Sequence, residues 1–223
     1  KNDVFNYLFK VLDKLFDEYK NIYGICISLQ GQIDRKKGLS LNIPLIDGWK
    51  DINIVNIFNK KYNVPTYIHH DPDCILSKQK FDGKKFNSKN CILLRIGEGI
   101  GVSAMINDKI YVSSSNSGIE IEHAIMVPNG KPCSCGKNGC YSSYCSFKAL
   151  KKNYSETLNK TINDEELKDV ILNSKEKNII DILNDFTKNI AFMCYNIIML
   201  YNPQVLYLES TFNEIDSNFY THL

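Results

Sequence analysis

Three thiols fall within eight residues, in the run Cys133-Ser-Cys135-Gly-Lys-Asn-Gly-Cys140. Glycines at 136 and 139 let so short a run wrap around a single ion. Zinc in a structural site takes four ligands in a tetrahedron, drawn from thiolate, imidazole and carboxylate. Two residues could supply the fourth here: His123, ten positions before Cys133, or Cys145, five after Cys140. Spacing alone does not choose between them. Four protein ligands leave no open position for a substrate, so such a centre would serve structure.

Three other groups of residues could do chemistry. Asp71 follows the apolar run Val64-Pro-Thr-Tyr-Ile68 and the pair His69-His70. A carboxylate at the C-terminal end of a strand borders the ligand crevice of an α/β sheet, where it can accept a proton from a hydroxyl. The alternative is an Asp-Pro turn capping the next helix. Gly97-Glu98-Gly99-Ile100-Gly101 lies between two strand-like runs. Its glycines would let backbone N–H groups approach a phosphate, or they make a tight, bulged hairpin. Glu98 in the middle argues against an anion. Glu120-Ile-Glu-His123 places two carboxylates and an imidazole just ahead of the thiols. That group could bind a polyol, because each carboxylate accepts several hydroxyl protons, or it is an exposed charged turn.

The elements that must hold these groups follow from periodicity. Residues 3–20 carry Val4, Phe5, Leu8, Phe9, Leu12, Leu15, Phe16 and Tyr19 at helical spacing. A buried strand is expected over 22–29, a loop over 43–49, a helix over 51–62 and a strand over 64–68. A hairpin is expected over 91–112, with strands at 91–96, 102–106 and 110–112 and a polar loop at 113–117. Helices follow at about 146–152, 163–173 and 177–200. Pro203 stops the last of them, and Val205-Leu-Tyr-Leu208 is a final strand.

Composition narrows the class. The chain has 223 residues, 43% hydrophobic and 23% charged, which is a globular balance and fits one large domain or two lobes. A net charge of +2 gives no general attraction to nucleic acid. No apolar run reaches the roughly 18 residues a membrane span needs. Lys1-Asn2-Asp3 lacks the layout of a secretion signal, so a cytoplasmic chain with reduced thiols is expected.

Taken in order, His70-Asp71, the Gly97–Gly101 turn, Glu120-Ile-Glu-His123 and the cysteine motif resemble the ROK family of repressors, open reading frames and sugar kinases. The resemblance runs from about residue 22 to about 208. It implies an α/β, actin-like (ribonuclease H-like) two-lobed sugar kinase fold, with the first lobe incomplete at its N-terminus. Residues 1–72 would form a partial small lobe. Residues 73–223 would form the large lobe, with a zinc-binding loop at 123–140. It also implies structural zinc on His123, Cys133, Cys135 and Cys140, sugar contacts from His70, Asp71, Glu120 and His123, and a phosphate turn at Gly97, Gly99 and Gly101. Asp71 would be catalytic in a kinase that uses ATP and Mg.

Several positions depart from the kinase pattern. The first phosphate turn, Asp-x-Gly-x-Thr, has no counterpart in this chain. His70 stands for Asn, Glu98 for a Thr beside the phosphates, and Ser142 for a sugar-binding Glu. Glu209-Ser210-Thr211 stands where kinases carry glycines near the adenosine. Two like charges about 4 Å apart repel by several kcal/mol at an intermediate dielectric, and phosphoryl transfer rests on positioning and charge stabilisation. The expectation is therefore the effector-binding domain of a sugar-responsive repressor from a bacterium, without kinase activity. Its ligand would be a monosaccharide or sugar derivative, its assembly a homo-oligomer, and its DNA contact a region outside this chain. An active sugar kinase and a protein-interaction module are the rival readings.

Overall fold

Apolar residues at i, i+3, i+4 and i+7 spacing build the first helix, α1 (Asn2–Glu18), whose Phe5, Leu8, Phe9, Leu12 and Phe16 all pack inward. They meet β1 (Ile25–Leu29) and β5 (Thr66–His70), which pair in parallel from Ile25–Thr66 to Leu29–His70. The structure is a computed structural model that describes residues 2–43, 46–81, 88–114 and 118–210.

Three short strands not expected from periodicity separate β1 from the second helix. They are β2 (Gln32–Asp34), β3 (Leu39–Asn42) and β4 (Lys50–Asn53), joined antiparallel in that order. At three or four residues each, they are too short to show alternation. The helix expected from residue 51 starts instead at Ile54. Asn53 caps α2 (Ile54–Tyr62) by accepting the Asn56 N–H at 2.9 Å. Ile33, Trp49, Ile52, Ile54, Phe58 and Ile68 are buried together with the inner face of α1.

Trp49, the single tryptophan of the chain, stacks on Phe5 at 5.5 Å and donates its indole N–H to the buried Ser40 hydroxyl at 2.8 Å. Ser40→Ala leaves that donor buried without its partner, which costs about 1–3 kcal/mol. Equilibrium urea unfolding followed by Trp49 fluorescence reads the loss directly. An unchanged midpoint would show that the bond contributes nothing.

α3 (Asp71–Phe81) begins where β5 ends, so His69 and His70 lie inside the strand rather than after it. The second core is built on the sheet β8-β7-β6-β9. β6 (Cys91–Ile96) runs antiparallel to β7 (Ile100–Ile106) and parallel to β9 (Val205–Ser210). β8 (Lys109–Ile110) pairs with β7 at one edge. Ile92, Leu94, Ile96, Val102 and Ala104 face the helices α4 (Ser142–Cys145), α5 (Phe147–Leu158), α6 (Asp164–Asn173) and α7 (Lys177–Tyr201). From these come Cys145, Leu150, Tyr154, Leu167, Ile179, Phe186, Ile190, Met193 and Ile197.

The chain divides into two compact units, Lys1–Phe81 with Tyr111–Gly118, and Asp82–Ile110 with Ile119–Leu223. Among the described residues no helix is long and apolar enough to cross a membrane.

Candidate metal centre and flanking carboxylates

The loop between the sheet and α4 is folded by its own backbone. Gly136 N donates to Cys133 O at 3.0 Å and Cys133 N to Lys137 O at 2.8 Å, which makes a tight knuckle. Gly139 N donates to Lys131 O at 2.7 Å, and Gly139 O accepts from Met126 N at 2.7 Å. Gly136 and Gly139 hold φ of +87° and +83°, in the left-handed region that glycine adopts without strain. Ile125 bridges to Cys140, and Tyr141 N donates to Ala124 O at 3.1 Å, tying the loop back to the 3₁₀ turn Ile121–His123.

The result brings one ring nitrogen of His123 and the sulfurs of Cys133, Cys135 and Cys140 within 4.8 Å of one another. His123 Nδ1 lies 3.7 Å from Cys133 Sγ, and Cys135 Sγ lies 3.6 Å from Cys140 Sγ. Bonds of about 2.3 Å to sulfur and 2.0 Å to nitrogen give a tetrahedron whose edges are about 3.5–3.8 Å. The donor set and the spacing therefore fit one zinc-sized ion. Cys145, the other candidate for the fourth position, is buried in the hydrophobic core of this unit instead. Burial there pushes its thiol up to about 12, and burial pushes nearby Cys194 up to about 11.

Three thiols this close cannot all ionise without a cation. Burial, then the neighbouring thiols, push Cys140 up to about 12. Burial also works against the Cys133 thiolate, but the Cys135 N–H, the flanking thiols and His123 outweigh it and bring Cys133 down to about 7. A divalent ion reverses this balance, because it favours every thiolate at once.

The flanking carboxylates differ in their engagement. Glu120 is exposed, and its carbonyl accepts His123 N at 3.1 Å. Glu122, read from the sequence only as one carboxylate of a polyol-binding group, uses both oxygens: Oε2 accepts the Ile100 N–H at 3.2 Å, and Oε1 lies 3.7 Å from His123 Nε2. Glu120, Glu122 and His123 form a second group whose ligand atoms lie within 4.8 Å.

Gly97, Gly99 and Gly101 form the tight hairpin between β6 and β7. Gly97 N donates to Gly99 O at 2.9 Å, Gly97 O accepts Phe147 N at 2.8 Å, and Gly101 pairs with Arg95. Glu98 is ion-paired with Lys151, which also holds Asp164 at 2.8 Å. Burial weakens the Lys151 charge, but hydrogen bonds to Asp164 and Glu98 outweigh that and raise its pKa. The bare negative charge expected at position 98 is thus largely neutralised within the chain.

His70 and Asp71 belong to the first unit. Asp71 directly follows β5 and is the first residue of α3. Its Oδ1 lies 3.8 Å from His70 Nε2. His70 Nδ1 is buried with no hydrogen-bond partner among the described residues, and a Cβ on Gly118 would stand 2.6 Å from it. Two residues further on, Asp73 pairs with Arg35 at 3.3 Å. His69, on the opposite face of β5, has its pKa lowered by burial and by the Arg35 charge.

Comparison with known proteins places this geometry in a lineage. The xylose repressor of Bacillus subtilis is 31% identical over 196 residues, which cover 86% of this chain and 49% of that protein. The chain thus spans about half the length of the xylose repressors it matches. Among solved structures, a ROK family transcriptional regulator, a homologue of the E. coli Mlc protein, superposes with a TM-score of 0.83 at 20% identity, covering 99% of this chain and 59% of that one. A ROK hexokinase from Thermus thermophilus superposes with a TM-score of 0.77 at 18% identity, covering 89% of this chain and 66% of that one. Both likenesses show the actin-like, ribonuclease H-like α/β fold. The model of the ROK family matches residues 1–219, and the chain belongs to that family.

Proposed function

We propose that this chain is the sugar-sensing domain of a ROK-family transcriptional repressor. It carries one structural zinc on His123, Cys133, Cys135 and Cys140, and does not phosphorylate sugars. The observation that carries the reading is the state of the glycine turn. The Gly97 and Ile100 N–H groups, which a phosphate would need, donate instead to Gly99 O and to the Glu122 carboxylate. A nucleotide would have to displace a carboxylate of this chain and approach the Glu98–Lys151–Asp164 group. Similarity to xylose repressors supports the same branch.

The ligand is a monosaccharide or sugar derivative. His70, Asp71, Glu120 and His123 are the residues assigned to its hydroxyls, since bonds from hydroxyls to carboxylates are charge-assisted and about twice as strong as neutral ones. Asp71 would act as base only under the kinase reading. DNA contact belongs to chain outside these 223 residues, the protein is cytoplasmic, and it assembles with copies of itself. Phe192, Tyr195, Met199 and Leu200, exposed toward the end of α7, support that last point.

Two measurements test the proposal. Calorimetry of the full-length protein against pentoses, hexoses and N-acetylhexosamines, with xylose first, is expected to find one ligand. Its binding should weaken at least tenfold in both Asp71→Ala and Glu120→Ala. A coupled ATP assay over the same panel is expected to show no turnover. Turnover that disappears in Asp71→Asn would restore the kinase, and a panel without any ligand would remove the sensor.

A further inference from the structure

The imidazole of His123 stands between a thiol and a carboxylate, with one ring nitrogen toward each. Nδ1 faces Cys133 Sγ and Nε2 faces Glu122 Oε1, both at 3.7 Å. The other oxygen of Glu122 holds the Ile100 N–H of the β6–β7 turn at 3.2 Å. One side chain thus touches the glycine turn and the candidate metal loop together. A histidine that binds a metal through one nitrogen needs its other N–H held by an acceptor, which fixes the tautomer and makes the ligating nitrogen more basic. We propose that Glu122 is a positioning residue with both tasks. It keeps His123 as the Nε2–H tautomer, with the Nδ1 lone pair aimed at the thiols, and it pins the glycine turn through Ile100.

This rests on the zinc reading above and adds to it. The Nε2 that a sugar hydroxyl would use lies 3.7 Å from Glu122 Oε1, longer than a hydrogen bond, so a ligand taking it must share it with that carboxylate or displace it. Occupation of the metal loop and order in the β6–β7 turn then become linked, because one carboxylate serves both. A Glu122 that merely capped the turn would leave the metal indifferent to its loss.

The test compares the full chain, Glu122→Ala and Glu122→Gln, each loaded with zinc. Three quantities are read: ¹⁵N shifts of the His123 ring, hydrogen exchange of the Ile100 amide, and transfer of zinc to a chelator. The wild type is expected to show the Nε2–H tautomer. In Glu122→Ala the Ile100 amide should exchange at least tenfold faster, and zinc should be bound roughly ten- to a hundredfold more weakly. Glu122→Gln keeps an acceptor but not the charge, so it should restore most of the Ile100 protection and only part of the zinc retention. Unchanged zinc transfer and an unchanged tautomer in Glu122→Ala would overturn the inference. A wild type that holds no zinc removes the metal reading and the His123 half with it. The Ile100 half then stands if Glu122→Ala speeds exchange and falls if it does not.

Discussion

Cys140→Ser is expected to purify with zinc near zero per chain, against one per chain for the wild type. Cys140 is the fully buried member of the four, so its sulfur has no water to replace a lost ion. A serine hydroxyl is a poor ligand and leaves the remaining thiols to crowd one another. Metal that binds only the folded state stabilises it by mass action, by about 4 kcal/mol when the free ion exceeds its dissociation constant a thousandfold. For a chain of this size that amounts to a fall of about 8–16 °C in Tm. Chelation of the wild type should reproduce the shift, and acidification should too, because protons compete with the ion for thiolates and imidazole. Metal analysis beside a calorimetric scan checks both. A zinc-free wild type, or a Cys140→Ser with full zinc, would refute the assignment.

Gly139→Ala is expected to be about as damaging, for a reason that involves no ligand atom. At φ +83° any Cβ is strained, by about 1–2 kcal/mol. This one would also overlap the Val127 carbonyl oxygen, which is backbone and cannot swing aside. The peptide would have to move, and the bonds from Gly139 N to Lys131 O and from Met126 N and Val127 N to Gly139 O would go with it. With about 1 kcal/mol for each of these three bonds added to the strain, the total comes to about 4–5 kcal/mol. Gly136→Ala is the control. Its φ of +87° carries the same strain, but open space surrounds the new methyl. It should cost about 1–2 kcal/mol and keep its zinc. Denaturant midpoints for the pair decide the point. Equal losses would mean that the Val127 contact is unimportant.

The helices α1 and α7 were legible in the sequence because long amphipathic runs need only local information. The strands β2 to β4 were not, since three or four residues cannot display a period and their pairing is tertiary. The same limit applies to Tyr111–Gly118, which belongs with the first unit although its neighbours in sequence belong with the second. At the site, the three thiols announced themselves by spacing, while the fourth member came only through family resemblance. Glu98 was read as an uncompensated charge, because Lys151 lies 53 residues away and no local pattern links them. Glu122 was read only as one of two carboxylates for a polyol. Its meaning depends on Ile100, 22 residues earlier, arriving beside it.

The unequal burial of the thiols outside the metal loop gives the chain its own reporter of local opening. With thiols pushed up to about 12 and about 11, Cys145 and Cys194 present almost no thiolate at neutral pH, and the core buries Cys145 fully and Cys194 in part. Cys26 sits exposed on β1 of the first unit. An alkylating agent therefore marks Cys26 in the native state, while marking of Cys145 waits for the second unit to open. The Cys145 rate, read against Cys26 as the unhindered control and separated by peptide mass, would time how often the second unit opens, without any added label.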